Sequence, residues 1–450
     1  MMDWKYLLSN HRIGSSSAGR MSIERSHFQR DFDRIVFSGS FRRLQDKTQV
    51  FPLRQTDYVR TRLTHSLETS SIGRSIGTAA GDFICRNFDT GNLHADDIGA
   101  IVAAAALAHD IGNPPLGHAG EEAIRYWFTD SASGREISRN LNPAEAQDIA
   151  AFEGNAQGFR TLCRLEMPDQ YGGMRLTCAT LGAFAKYPTA SLVDKRPEGV
   201  AGKKYNFFTA EKELFTELAE NCRLIEVGPL AWKRHPLSYL VEAADDIAYL
   251  IVDFEDGLRL GMVSYDELES FFLPLIDSPE AAKYVKKLET PVVKAEFLRA
   301  QAIGSLVRKV SEAFVRNHDT LLAGDLLMPL TDYIDCKDVL AKLRKRSAEG
   351  IYNHRQVAEV TAAGFEMVSG MLDIFVPSVE EIAGEAAGSG KASYRAKRVS
   401  AMLPEYALKT ADSEWMTSPY LRLLGVLDYI SGMSDSYAVS LYQKLKGISL

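Results

Sequence analysis

The chain has 450 residues, 46% apolar and 25% charged, which is ordinary globular composition with enough hydrophobic content for a large core. Its net charge of −7, from 52 Lys and Arg against 59 Asp and Glu, argues against a general electrostatic binder of nucleic acid or anionic membrane. The five cysteines, Cys85, Cys163, Cys178, Cys222 and Cys336, are odd in number, far apart and without a CxxC pair, which disfavours a disulfide frame or zinc ribbon and suits reduced thiols in the cytoplasm.

In chain order, the opening MMDWKYLLSNHRIG lacks the basic start, apolar run and small-residue cleavage site of a signal peptide. Residues 31–45 (DFDRIVFSGSFRRLQ) carry apolar residues at helical spacing, and residues 61–84 put Leu63, Leu67 and Ile72 on roughly one stripe. A helix over 95–110 opens with acidic residues that suit a first turn and stops before Gly112, Pro114 and Pro115. Its core, IGAIVAAAALA, is the longest apolar run and is too short to span a bilayer, so no membrane association is expected. Further helices are predicted over 142–165 after an Asn-Pro cap, over 235–261 after a proline, and over 295–318 and 356–375. Residues 186–208 and 381–393 read as loops. Strand patterns are scarce, no repeat of 20–50 residues recurs, and no clean linker divides the chain. The expectation is a single large all-α body.

Titratable residues cluster where the 95–110 helix ends. His109 and Asp110 are adjacent there, His65 lies on an earlier helix in RLTHSLE, and Asp245 and Asp246 lie on a later one in EAADDIAYLIVD. Imidazole nitrogens with carboxylate oxygens form a mixed donor set for a divalent metal. Two acids amid so apolar a helix are costly to bury unpaired, and the nearest basic residues along the chain are Arg234 and Arg259. A solvent-facing position for both acids is the alternative. His118 and Glu121 stand at i and i+3 after Pro115, a spacing at which a carboxylate orients an imidazole suited to proton transfer near neutral pH. No GxxxxGK[ST] loop is present, which speaks against a P-loop nucleoside triphosphatase.

The array RLTHSLE … HDIGNPPLGH … EAADDIAYLIVD resembles the HD-domain superfamily, whose pattern is H…HD…D. SFRRLQDKTQVF, FEGNAQGFRTL, ATLGAFAKYP and LLGVLDYISGMSDSYAVSLYQKL extend the resemblance, from about residue 24 to 446, to the bacterial dGTPase-like deoxynucleoside triphosphate triphosphohydrolases. That resemblance implies an HD-domain core over 58–260 carrying the metal site. It also implies a C-terminal helical region over 261–450 that completes the nucleotide pocket and the oligomer contacts.

Residue by residue, the resemblance implies His65, His109, Asp110 and Asp245 as ligands of one Mg²⁺ or Mn²⁺ ion. Asp245 is preferred over Asp246 because the family pattern has a Tyr four and an Asp eight residues later, which Tyr249 and Asp253 supply. Asn113, where some HD phosphohydrolases carry a His, favours a single metal. His118 and Glu121 are the implied catalytic pair. Arg62, Lys186 and Lys204 (Lys203 being the neighbouring alternative) would meet the triphosphate, Arg for its bidentate geometry. Gln49 and Asp253 would meet the sugar hydroxyl, and Tyr249 would lie against the nucleoside. Glu153, Asn155 and Gln157, polar on an apolar helix, would support the site. The implied reaction is water attack at the α-phosphorus of dGTP and of further dNTPs, releasing deoxynucleoside and intact inorganic triphosphate. The alternatives are another HD phosphohydrolase or phosphodiesterase, or a nucleotide- or DNA-sensing regulator. The resemblance further implies a homo-oligomer, a hexamer in many members, and regulation by dNTPs or single-stranded DNA. The basic LRKRS at 343–347 is a candidate contact for DNA or for a neighbouring subunit's acidic face, with a solvated helix face as the base-rate alternative.

Overall fold

Glycine at every fourth position of one helix sets the centre of the molecule. In the computed structural model, which describes residues 1–14, 25–49, 60–167, 169–404 and 417–448, the helices Arg62–Asn87 and Ala95–Ala108 pack antiparallel. Gly73, Gly77 and Gly81 form a stripe along the first, where a Cβ would stand 3.3 Å from Ala106, 2.9 Å from Val102 and 2.7 Å from the Ala95 carbonyl oxygen. The backbones therefore approach more closely than side chains would allow. Every residue from Ile101 to Ala108 is buried.

Around this pair the other helices close the first core. His27–Val36 packs on Ala95–Ala108, Pro236–Arg259 crosses Arg62–Asn87, and Pro291–Arg316 lies against both of the latter. A second core joins His118–Asp130 to Arg355–Ala386, Pro419–Ser431 and Asp435–Leu445. Among the described residues the only strands are Glu226–Gly228 and Ala231–Trp232, paired antiparallel. The fold is all-α, as the sequence predicts.

The boundaries follow local chemistry. Thr61 caps Arg62–Asn87 by accepting the Thr64 N–H, and Asn142 caps Pro143–Ala150 through the Ala144 and Glu145 N–H groups. Two predicted helices are broken. The 31–45 segment divides after Val36, because Ser38 accepts the Phe41 N–H and starts a new helix at Gly39. The 142–165 segment divides at Glu153, whose extended backbone separates Pro143–Ala150 from Gly154–Arg160. The 356–375 helix instead runs on through Pro377 to Ala386, so only the second half of the predicted 381–393 loop lies outside it. Val50 and Phe51, in the quoted SFRRLQDKTQVF, lie outside the described residues, as do the first two residues of the expected 58–260 core. The stretch 98–108 is not the most membrane-like one. Among the described residues, Val357–Ala386 is long and apolar enough to cross a membrane, with mean hydropathy 1.3 over its most apolar window. Half of that window is buried against the protein.

The glycine stripe yields a paired expectation. Gly81→Ala gains helix propensity of about 1 kcal/mol but meets the Ala95 backbone, and overpacking costs about 1–3 kcal/mol, so it destabilises. Gly304→Ala, with nothing within 4 Å of the new methyl, stabilises by about 0.5–1 kcal/mol. Urea unfolding midpoints read both, and the same sign for the two variants contradicts the close-crossing account.

Candidate active site

His65, one turn into the Arg62–Asn87 helix, is 1% exposed and meets Asp245 from the middle of Pro236–Arg259, with His65 Nε2 3.2 Å from Asp245 Oδ1. His109 caps the end of Ala95–Ala108, and its Nε2 lies 3.5 Å from the same Asp245 oxygen and 3.6 Å from Asp110 Oδ2. On a regular helix His109 and Asp110 would diverge by about 100°, but the helix ends at Ala108 and the turn lets both face one point. His109 Nδ1 donates to the Ala106 carbonyl at 2.6 Å, which fixes its tautomer and leaves the Nε2 lone pair facing the carboxylates. One donor atom each of His65, His109 and Asp245 falls within 4.8 Å of the others. Asp110 Oδ1 accepts from Arg62 Nη1 at 2.7 Å and from Asn113 Nδ2, whereas its buried Oδ2 has no hydrogen-bond partner among the described residues. An orphaned carboxylate oxygen beside two imidazole nitrogens and a second carboxylate fits a divalent cation.

The charges are balanced from distant parts of the chain. Burial opposes ionisation of Asp245, but His109, Lys186 at 3.5 Å and His65 outweigh it and hold the carboxyl well below the usual range. Asp110 is likewise held low against burial, chiefly by Arg62. Burial disfavours charge on His65, yet its hydrogen bond to Asp245 raises its pKa. Burial also opposes charge on Lys186, and Asp245 and Glu242 raise it. Asp245 and Asp246 part company. Asp246 turns away, accepts from Thr331 Oγ1 at 2.9 Å and pairs with Arg344 at 3.4 Å. No basic residue lies near the two acids along the chain, yet in space Lys186 reaches Asp245 and Arg344 reaches Asp246. In LRKRS, Arg344 takes Asp246, Arg346 takes Glu267 and Lys345 approaches Glu349, so each charge in that cluster has an acidic neighbour.

The Asn-Pro-Pro turn carries the chain to a second helix, His118–Asp130. Gly117 has φ +58, and a Cβ there would collide with the Arg62 guanidinium. His118 Nδ1 donates to Glu121 Oε2 at 2.8 Å, while Glu121 Oε1 accepts the Gly154 N–H at 2.7 Å. Burial opposes the Glu121 charge, but the His118 hydrogen bond leads the interactions that lower its pKa. A buried anion thus sets the tautomer of an imidazole whose side chain is 85% exposed, with Nε2 free for proton transfer. Glu153 holds Lys204 at 2.9 Å, Arg125 at 3.3 Å and Asn155 at 2.7 Å. Gln157 does not join them. It donates to Asp428 at 2.8 Å in a separate buried network with Arg160.

A cavity of about 510 Å³ gathers these groups. Arg62, His109, Asp110, His118 and Asp245 line it together with Lys186, Lys204, Gln49 and Tyr249. Gln49 Oε1 is buried without a partner among the described residues. His65 and Glu121 stand behind the wall, as does Asp253, which sequence reasoning put against a sugar. Asp253 accepts from the Tyr352 hydroxyl at 3.1 Å, and the Tyr352 ring, which lines the cavity, stacks on Tyr249 with centroids 5.1 Å apart. Tyr352 was not legible in the sequence. It ends an irregular turn after Lys337–Ser347, and no spacing connects it to Tyr249.

A family model described as HD domain matches residues 62–155, which include His65, His109, Asp110, His118 and Glu121. The chain is 42% identical to a deoxyguanosinetriphosphate triphosphohydrolase-like protein of Synechocystis, with 100% of both chains covered. It is 37% identical to a protein of the same description from Pseudomonas aeruginosa, covering 100% of this chain and 99% of that one. A deoxyguanosinetriphosphate triphosphohydrolase of Klebsiella pneumoniae is 29% identical, with 98% of both chains covered.

Burial pushes the Asp253 carboxyl up to about 7, against the opposing charge of His65. The unfolded chain releases that proton at about 3.9, so the folded chain holds the extra proton in between. The stability this group contributes is full below about pH 4 and is lost as pH rises through about 7. The unfolding free energy of the wild type minus that of Asp253→Asn therefore declines between pH 4.5 and 7.5, read by urea denaturation. A flat difference contradicts the burial argument.

Proposed function

Since the chain belongs to the deoxyguanosinetriphosphate triphosphohydrolase-like family, whose relatives match it end to end, we propose that it is a metal-dependent dNTP triphosphohydrolase, converting a dNTP and water to deoxynucleoside and inorganic triphosphate. The observation that carries this reading is the convergence on one cavity of an acid-base imidazole, His118, a His-Asp cluster and three cationic side chains, Arg62, Lys186 and Lys204.

His65, His109, Asp110 and Asp245 would hold one Mg²⁺ or Mn²⁺ ion, the partnerless Asp110 Oδ2 completing the donor set. When bound, the ion supplies Lewis acidity toward the α-phosphate. Arg62, Lys186 and Lys204 provide the positive charge that a triphosphate requires. The water oxygen bonds to the α-phosphorus, the bond to the 5′-oxygen breaks, and the nucleoside leaves as the alcohol. His118, held by Glu121, handles the proton that passes from water to the departing oxygen. Gln49 Oε1 is the acceptor offered to the 3′-hydroxyl. Tyr249 and Tyr352 stack into a ring surface for the nucleoside, and Asp253 acts on the sugar side through the Tyr352 hydroxyl.

Residues 58–260 are read as the HD core and 261–450 as the region that completes the pocket through Tyr352. The five free thiols suit a cytoplasmic setting. Assembly as a homo-oligomer and modulation by dNTPs or single-stranded DNA belong to the same reading.

The test is a panel of the four dNTPs with Mg²⁺ or Mn²⁺, products separated by chromatography. Deoxynucleoside with intact triphosphate is expected, whereas pyrophosphate or phosphate with a nucleotide points to a different phosphohydrolase. His118→Ala lowers kcat by about 10²–10⁴-fold with Mn²⁺ binding retained. His109→Ala weakens Mn²⁺ binding, read by calorimetry, by more than the roughly 10–100-fold typical of losing an outer partner of a metal ligand. Undiminished binding removes His109 from the metal site.

A further inference from the structure

Asp435, inside the LLGVLDYISGMSDSYAVSLYQKL segment and 319 and 387 residues along the chain from its two partners, is 1% exposed and bonded to two walls of the cavity. It is the first residue of the Asp435–Leu445 helix. Its Oδ1 accepts the Leu116 N–H at 2.9 Å, and its Oδ2 accepts the Thr48 N–H at 2.9 Å. Leu116 is two residues before His118, at a backbone position with φ +61 that no helix can satisfy. Thr48 directly precedes Gln49. The neighbouring residues make the same junction. Lys47 Nζ donates to the Asn113 carbonyl at 2.6 Å and to the Ser431 carbonyl at 2.7 Å, and the Ser436 hydroxyl donates to Asp46 at 2.9 Å.

A buried carboxylate is an expensive way to dock a helix if docking is its only purpose, since apolar contact would serve. Its two oxygens instead satisfy backbone donors of two chain segments, which Lys47 also joins through the Asn113 carbonyl. The carboxylate is the rigid member of that junction, beside the flexible Lys47 side chain. One segment carries the side chain offered to the sugar, and the other carries the proton-transfer imidazole. A displacement of about 1 Å between such groups costs roughly 10²-fold in rate.

We propose that Asp435 is a positioning residue that fixes Gln49 and His118 relative to each other across the cavity, so that the sugar and the proton-transfer group share one register. The proposal rests on the triphosphohydrolase reading for its kinetic consequence but not for its structural one.

The test uses the full-length wild type, Asp435→Asn and Asp435→Glu. Amide exchange in the wild type comes first. The Thr48 and Leu116 N–H groups exchange slowly, and fast exchange at either one overturns the clamp. Asp435→Asn replaces one acceptor with a donor, so one of the two amides loses protection. With a dNTP that the wild type hydrolyses, its kcat falls by about 10–100-fold while KM changes less, and its preference for deoxy- over ribonucleotide narrows. Mn²⁺ affinity and exchange within the Arg62–Asn87 helix stay at wild-type values. A folded Asp435→Asn with wild-type kcat and wild-type sugar preference overturns the proposal. Should it not fold, Asp435→Glu keeps both acceptors but shifts them by one methylene. A reduced kcat with unchanged Mn²⁺ affinity supports the proposal, and unchanged kcat overturns it. Absence of triphosphate release by the wild type counts against the functional reading alone, and amide exchange then decides the clamp.

Discussion

The close antiparallel crossing of Arg62–Asn87 and Ala95–Ala108 is the constraint on which the rest depends. His65, Thr69, Gly73, Gly77 and Gly81 follow one another at every fourth residue, so the histidine continues the stripe along which the backbones nearly touch. Opposite it, the Ala-rich helix reaches its end at His109, and the two imidazole rings stand 5.3 Å apart, edge to face. Were either helix held off by larger side chains, the rings would separate and Asp245 could not approach both. The small residues of the core thus fix the geometry of the polar site at its end.

A second theme is how buried carboxylates are kept ionised. Asp245 faces His65, His109 and Lys186, Asp110 faces Arg62, and Glu121 takes a backbone N–H and an imidazole N–H. Each acid is satisfied by a group from a different part of the chain, so the site is stable as an ensemble of charges rather than as separate pairs. Asp253 shows the contrast. With a tyrosine hydroxyl as its hydrogen-bond donor, burial prevails and its carboxyl titrates near neutrality.

What was legible in the sequence follows from range. Helical periodicity, caps and prolines are local, and they locate Arg62–Asn87, Ala95–Ala108, Pro236–Arg259 and Pro291–Arg316 to within a few residues. The breaks at Ser38 and Glu153 were hidden because apolar spacing continues across them while single caps and backbone turns interrupt the helix. Short motifs such as His109-Asp110 and His118-x-x-Glu121 stood out because one turn brings their members together. Lys186 beside Asp245, Tyr352 over Tyr249, and Asp435 beneath Thr48 and Leu116 depend on packing between segments far apart in the chain, which no spacing records. Asp253 and Gln157 have the right residue types on the right helices, but a tyrosine and an arginine network claim them.

The order of these residues along the chain also gives the site an order of birth. During synthesis from the N-terminus, His65, His109, Asp110 and Asp245 emerge early and can pack as the first core forms. Tyr352 follows a hundred residues later, and Asp435 later still with the Asp435–Leu445 helix. The residues of the histidine and acid cluster therefore leave the ribosome before the Tyr352 wall of the cavity. Under the positioning role proposed for Asp435, Gln49 and His118 reach their final register only after the Asp435–Leu445 helix has docked.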